Sequence, residues 1–231
     1  MSTPAGSIRA RVRAEMLDEI KNIASRHLAT DGANLSLRAV ARDVGLVSSA
    51  IYRYFPSRDD LLTALIIDAY NAIGEAAEHG DATTKDRGDL RGRFLATAHA
   101  VRDWALAHPA EYALLYGSPV PGYAAPTDTI TPAGRTPLVL VRILADGAAA
   151  GSLRPADQTL PDAVRGDLTR LAEQIAPDLP PEVLMRGTVA WIHLFGAVSF
   201  ELFGQLNNVI EARTEYFQRQ MTDMADLMGL P

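Results

Sequence analysis

Between Ser36 and Phe55 the chain has room for two short helices and only three residues, Gly45-Leu46-Val47, to join them. Ser36 is a good N-cap, and Leu37, Val40, Ala41 and Val44 follow at i, i+3, i+4 and i+7, one face of a two-turn helix. Gly45 tolerates positive φ, so the turn can be abrupt. A third helix is predicted over about 48–55, with Ile51, Tyr54 and Phe55 toward a core and Ser48, Ser49, Tyr52 and Arg53 toward the other side. A longer helix precedes both. Over 11–29 it carries Leu17, Ile20, Ile23, Ala24 and Leu28 on one stripe, and Asp31-Gly32 stops it. Two short helices at a tight glycine turn, propped by a longer one, make a helix-turn-helix unit.

The rest of the chain reads as helix throughout, with no strand alternation, no internal repeat and no long coiled-coil run. Pro56-Ser57 closes the first unit, and Ser57 with Asp59 and Asp60 begins a fourth helix carrying Leu62, Leu65, Ile66, Ala69 and Ile73 that fades near His79-Gly80. Further helices are expected over 90–107, 109–116, 137–150, 161–175, 181–205 and 209–228, several opening on proline. From Gly117 to Pro137 five prolines and three glycines break any helix. The expected fold class is all-α, with a helix-turn-helix domain at 1–58 and a larger helical body at 59–231.

Charge divides the same way. The net charge is −6, yet residues 1–58 hold nine basic and five acidic residues, a balance of +4, and residues 59–231 hold thirteen against twenty-three, a balance of −10. A basic head on an acidic body suits a nucleic-acid-facing region. The absence of cysteine removes disulfides, thiolate metal sites and thiol nucleophiles. The uncharged apolar stretch 187–200 is 14 residues, short of the roughly 20 of a membrane span, and the first thirty residues lack the apolar core of a signal peptide. A cytoplasmic location is expected.

The block from Leu35 to Leu62, and above all Ile51-Tyr-Arg-Tyr-Phe-Pro-Ser-Arg58, resembles the DNA-binding domain of the TetR family of bacterial transcription regulators. The resemblance is close over about 11–65 and looser over the whole length. It implies that Ser48, Ser49 and Ala50 open the recognition helix toward base edges, and that Tyr52, Arg53 and Tyr54 touch the backbone or thymine methyls. Ser36 and Arg38 match the start of the second helix, where phosphate contacts are common, and Arg58 matches a phosphate anchor at the head of the fourth. This chain departs from many members at Val47, where a capping serine is usual, and at Ser48 and Ser49, where lysine and glycine are usual. Ser48 as the cap would move the base-contact register by one residue. Arg9, Arg11 and Arg13 could form a basic arm along the minor groove or a loose segment with a weak electrostatic role.

In the body, Trp191-Ile-His-Leu-Phe-Gly196 looks like the Trp-x-His-x-x-Gly signature of one subgroup. Candidate contacts for a small ligand are Trp104, Tyr112, Tyr116, Tyr123, Trp191, His193 and Phe195, set against the plainer possibility that each is core. Phe217, Met221, Met224 and Met228 repeat at 4-3-4 spacing, a seam expected at a dimer interface. The last two helices form a four-helix dimer bundle in the resembled family, and Gly187, Gly196 and Gly204 would let helices approach closely.

No phosphate loop, His-Glu-x-x-His or Gly-x-Ser-x-Gly is present, so no catalytic residue, metal or cofactor is expected. The resemblance implies a homodimeric repressor that binds a palindromic double-stranded operator and is released by a small, apolar or aromatic effector. The alternatives are a helical small-molecule binder or enzyme whose head no longer binds DNA, and an architectural DNA binder without a ligand.

Overall fold

The structure is a computed structural model that describes residues 4–31, 35–155 and 159–231. The described residues form α1 (Pro4–Asp31), α2 (Leu37–Val44), α3 (Arg58–Thr83), α4 (Leu90–Ala107), α5 (Pro109–Tyr116), α6 (Ile130–Ala149), α7 (Asp162–Ile175), α8 (Pro181–Leu202) and α9 (Arg213–Met228), with 3-10 turns at Ile51–Arg53 and Thr127–Thr129 and no strand. The fold is all-α. Helix α1 reaches Asp31, and the glycine expected to stop it, Gly32, lies outside the described residues.

Two compact units share the chain, one of Met1–Tyr70 with His108–Ile130, the other of Asn71–Ala107 with Thr131–Pro231. Helix α3 passes from one to the other without a break. In the first unit the α1 stripe of Ile20, Ile23, Ala24 and Leu28 meets Leu37, Val40 and Ala41 of α2, then Ile51, Phe55, Leu61, Leu62 and Leu65. This unit takes in more of the chain than 1–58, because Ala110 and Leu114 of α5 and Val120 and Tyr123 beyond it pack on the same core. Polar ties reinforce it: Lys21 reaches Asp68 at 2.9 Å, and His27 Nε2 lies 2.8 Å from Asp43 Oδ2.

The second unit is built on α8, which packs against α4, α7 and α9. Gly187 allows close approach to α6, since a Cβ there would meet Leu144 Cδ1 at 2.5 Å. Gly196 instead faces open space, and Gly204 has φ of +82°, the left-handed geometry at which α8 stops short of the expected Gln205. Asn208, at φ of 60°, continues the turn, so α9 starts at Arg213 and not at Val209.

Helix α6 begins seven residues earlier than expected, at Ile130 in place of Pro137, and carries that proline inside it. The ring keeps a helical φ but leaves the Ala133 carbonyl without its usual amide donor. Neighbouring Arg135 holds the segment down: it donates to the Asn71 carbonyl and Asn71 Oδ1, both at 3.0 Å, and to both Glu78 oxygens at 3.1 and 2.6 Å.

The seam on α9 is spent inside the subunit. Phe217, Met221 and Met228 are buried among α4 and α8 in the second unit and Met224 is half-buried, so the stripe expected to meet a partner is core. Helix α8 keeps apolar surface outside, with Ile192 64% and Phe200 56% exposed. By length and composition α8 is also apolar enough to cross a membrane. Its charged residues bind it into the helical unit: buried Glu201 accepts two bonds from buried Arg102, at 2.8 and 2.7 Å, and buried Arg186 donates to the Arg154 and Pro155 carbonyls.

Removing one member of that buried pair strands the other charge, at a cost of about 3–5 kcal/mol. Arg102→Met should therefore lower unfolding stability by that order, and Arg102→Met with Glu201→Leu should recover most of it, read from denaturant midpoints. Equal loss in the single and double variants would show that the pair is not what the site depends on.

Candidate nucleic-acid interface

The interface begins with two caps. Ser36, in an extended conformation, accepts the Ala39 amide on its Oγ at 3.4 Å. At the other end Gly45, with φ of +80°, donates to the Arg42 carbonyl at 3.0 Å while Leu46 donates to the Ala41 carbonyl at 2.8 Å. These paired bonds are a Schellman closure, available because glycine carries no Cβ to oppose that φ. They fix α2 at two turns and send the chain into the segment that follows.

That segment is shorter than a helix. Residues 48–50 form a turn, closed by the Ala50 amide on the Val47 carbonyl at 2.8 Å, and Ile51–Arg53 is a single 3-10 turn. Its cap is Ala50, with no side-chain hydrogen bond, so Ser48 does not act as the cap. Ile51 is fully buried, and with it turned inward its neighbours face out. Ser48, Ser49, Tyr52 and Arg53 are exposed, Tyr52 to 44%, and Ala50 is half-buried. Ser36 and Arg38 are exposed on α2, and among the described residues neither Arg38 nor Arg53 is held in an ion pair.

Tyr54 is placed differently. It is half-buried, packs against the core and lies under the Arg13 guanidinium, 5.1 Å from its ring centroid. Arg58, half-buried at the start of α3, lies 3.9 Å from Asp59. The helix it opens is capped by Ser57, whose Oγ accepts the Asp60 amide at 3.1 Å and donates to Asp60 Oδ2 at 2.7 Å. The arginines expected in a basic arm are on α1, where Arg11 pairs with Glu15 at 3.6 Å. Beside the interface, hydrogen bonds from Arg42 and then His27 hold the Asp43 carboxyl below its usual range.

The ligand candidates are divided between the units. Tyr112, Tyr116 and Tyr123 belong to the first: Tyr112 is fully buried, its ring 5.0 Å from that of Tyr116, and Tyr116 stands edge-on to Tyr70 at 6.2 Å. Burial pushes the Tyr116 phenol far up, so it stays neutral. Tyr123 shares a hydrogen bond with Thr63 Oγ1 at 2.9 Å. Trp104, half-buried, belongs to the second unit, as do Trp191, His193 and Phe195 on α8. Phe195 is buried against Trp191, and His193 Nε2 meets Gln220 Oε1 at 2.9 Å. His193 lines an open groove of about 410 Å³ with Ile192, Gly196, Phe200, Leu206 and Tyr216. Among the described residues no group of three or more His, Asp or Glu could hold a metal ion.

Comparison with known proteins matches both parts of the chain. Residues 23–65 match the family described as bacterial regulatory proteins, tetR family, and residues 94–224 match the tetracyclin repressor-like C-terminal domain. The HTH-type transcriptional regulators Rv1816 of Mycobacterium tuberculosis and Mb1846 of Mycobacterium bovis are each 39% identical over 200 residues, covering 85% of this chain and 85% of theirs. The crystal structure of SCO4313 superposes with a TM-score of 0.76 and 34% identity, over 97% of this chain and 100% of that one. A protein of unknown function from Rhodococcus sp. RHA1 superposes with a TM-score of 0.67 and 24% identity, over 92% and 93% of the two chains.

The Gly45 closure has a measurable weight. A Cβ at Gly45 would meet nothing within 4 Å, so Gly45→Ala tests backbone strain alone. It should lower stability by about 1–2 kcal/mol, read from the denaturant midpoint, and an unchanged midpoint would mean that the turn relaxes without strain.

Proposed function

Since the chain belongs to the tetR family of bacterial regulatory proteins and is a DNA-binding transcriptional regulator, we propose that it is a ligand-responsive repressor, binding a palindromic operator as a homodimer in the cytoplasm. One observation carries the reading: with Ile51 buried, Tyr52 and Arg53 are exposed, as are Ser48, Ser49 and Arg38. Hydroxyls that donate or accept, a phenol ring and two guanidiniums form a surface suited to base edges and phosphates. Within it we assign base-facing roles to Ser48, Ser49 and Ala50, and backbone contacts to Ser36, Arg38, Tyr52, Arg53 and Arg58.

A second copy fits the α8 face. Ile192, Phe200 and Phe203 are exposed, and Ile192 and Phe200 line the open groove at Gly196, where a Cβ would meet nothing within 4 Å. A face carrying both knob and hollow is self-complementary, as a two-fold interface requires. Two recognition segments about 34–36 Å apart would then read half-sites one turn of duplex apart. The effector we propose is a small apolar or aromatic molecule whose higher affinity for one conformer releases the DNA. Trp104, Trp191, His193 and Phe195 give the second unit the ring surfaces and the imidazole that support this class.

Selection of bound fragments from the source genome, at near-physiological salt, should enrich one palindromic motif with the wild-type chain and lose it with Tyr52→Ala or Arg53→Ala. No enrichment, or enrichment indifferent to both changes, would overturn the operator reading. For the interface, Phe200→Asp should give a monomer by sedimentation and weaken operator binding at least tenfold. A dimer of unchanged affinity would place the interface elsewhere.

A further inference from the structure

The 3-10 turn at Ile51–Arg53 ends in a carbonyl that its own chain serves poorly. The Ala50 and Ile51 carbonyls are occupied, by the Arg53 amide at 3.1 Å and by the Tyr54 and Phe55 amides at 2.9 and 3.0 Å. The next donor in line, for Tyr52 at i+4 and for Arg53 at i+3, is residue 56, and residue 56 is proline, without an N–H. An end carbonyl in that state takes a donor from outside the turn or from water. Here the donor is the α1 side chain Arg13, whose Nη2 lies 3.0 Å from the Arg53 carbonyl oxygen. The same guanidinium lies over the ring of Tyr54, the next residue.

We infer that Arg13 is a positioning residue for the DNA-reading segment: it caps the carbonyl that Pro56 leaves short and stacks on Tyr54, so that Tyr52 and Arg53 are presented from a fixed backbone. One N–H of the guanidinium is thereby given to the Arg53 carbonyl, and its role is to hold that backbone in place. This gives Arg13 a role different from that of a basic arm in the minor groove, and the two roles separate by experiment. A lost phosphate contact lowers the salt slope of log K by about 0.9 and weakens specific and non-specific binding alike. A lost positioning contact lowers the specific affinity and leaves the slope alone.

The inference rests on the operator reading only for its DNA arm, so the first measurement uses the free protein. Hydrogen exchange of the Arg53, Tyr54 and Phe55 amides should quicken about three- to tenfold in Arg13→Gln, with the global unfolding midpoint unchanged and with Arg13→Lys recovering most of the protection. Tyr54→Leu, which keeps an apolar side chain and removes the ring, should quicken the same amides, and Arg13→Gln should add less in that background than alone. On the genomic fragment that the wild-type chain selects, Arg13→Gln should lower the ratio of specific to non-specific affinity about tenfold at an unchanged salt slope. Unchanged exchange in both variants would overturn the inference, as would a slope lowered by about one with specific and non-specific binding falling together. A wild-type chain that selects no fragment counts against the operator reading alone, and the exchange measurement then decides the role of Arg13.

Discussion

Burial of Ile51 is the constraint on which the interface depends. A three-residue 3-10 turn has too few hydrogen bonds to hold its own shape, and nucleating even a full helical turn is unfavourable in isolation. What holds it is one side chain with no exposed surface, sunk in the apolar core that α1, α2 and the start of α3 share. Once that side chain is inside, the orientation of its neighbours follows from the geometry of a tight turn, and Tyr52 and Arg53 have nowhere to go but outward. The caps at Ser36 and Gly45 matter because they bring the chain to Ile51 at the right place. The DNA-facing surface is therefore set by apolar packing behind it, and its polar groups are passengers of that packing.

The helices were legible where a periodic apolar stripe coincided with a cap. Ser36, Leu37, Val40, Ala41, Val44 and Gly45 define α2 from sequence alone, and the structure has it at Leu37–Val44. The proline at 109 and the glycine at 117 bracket α5 as read. Residues 48–55 read as a helix because Ile51, Tyr54 and Phe55 fit helical spacing, but periodicity over eight residues does not distinguish an α-helix from two tight turns. Pro137 resembles a helix start, so the sequence alone makes α6 too short; only tertiary support such as that from Arg135 lets the helix run through the proline. A stripe such as Phe217, Met221 and Met228 marks a buried face and is silent on whether the cover is the chain's own α4 and α8 or another subunit. Attachment of α5 to the first unit left no local signal either, since Ala110 and Leu114 fit any apolar neighbour.

Polar residues inside the second unit were the least visible from sequence. Arg93 and Arg102 are among the most buried charged side chains described, both in α4, whose other buried positions are apolar apart from Thr97. Arg93 reaches Asp81 and Asp146, both at 2.7 Å, and so ties α4 to α3 and α6, while Arg102 ties α4 to α8. Arg135 and Glu78 make a further tie between α6 and α3, and Arg91 and Asp226 one between α4 and α9. Such pairs add little net stability over an apolar core, but a core with fixed donor and acceptor positions admits fewer alternative registers between helices.

Because arginine is the cation in each of those ties, the second unit responds unequally to acid and to base. Hydrogen bonds from Arg135 hold Glu78, and from Arg91 hold Asp226, below the usual carboxylate range; burial works against the charge of Asp81, yet bonds from Arg93 and Arg87 carry it below as well. A depressed carboxylate contributes stability that is complete above its unfolded value, about 4, and is lost as the pH falls through its folded value. On the other side, bonds from Glu201 and Glu78 raise Arg102 and Arg135 above an already high guanidinium value, so their contribution ends only at alkaline extremes. The polar framework of this unit is thus acid-labile and base-tolerant, with neutrality well inside its working range.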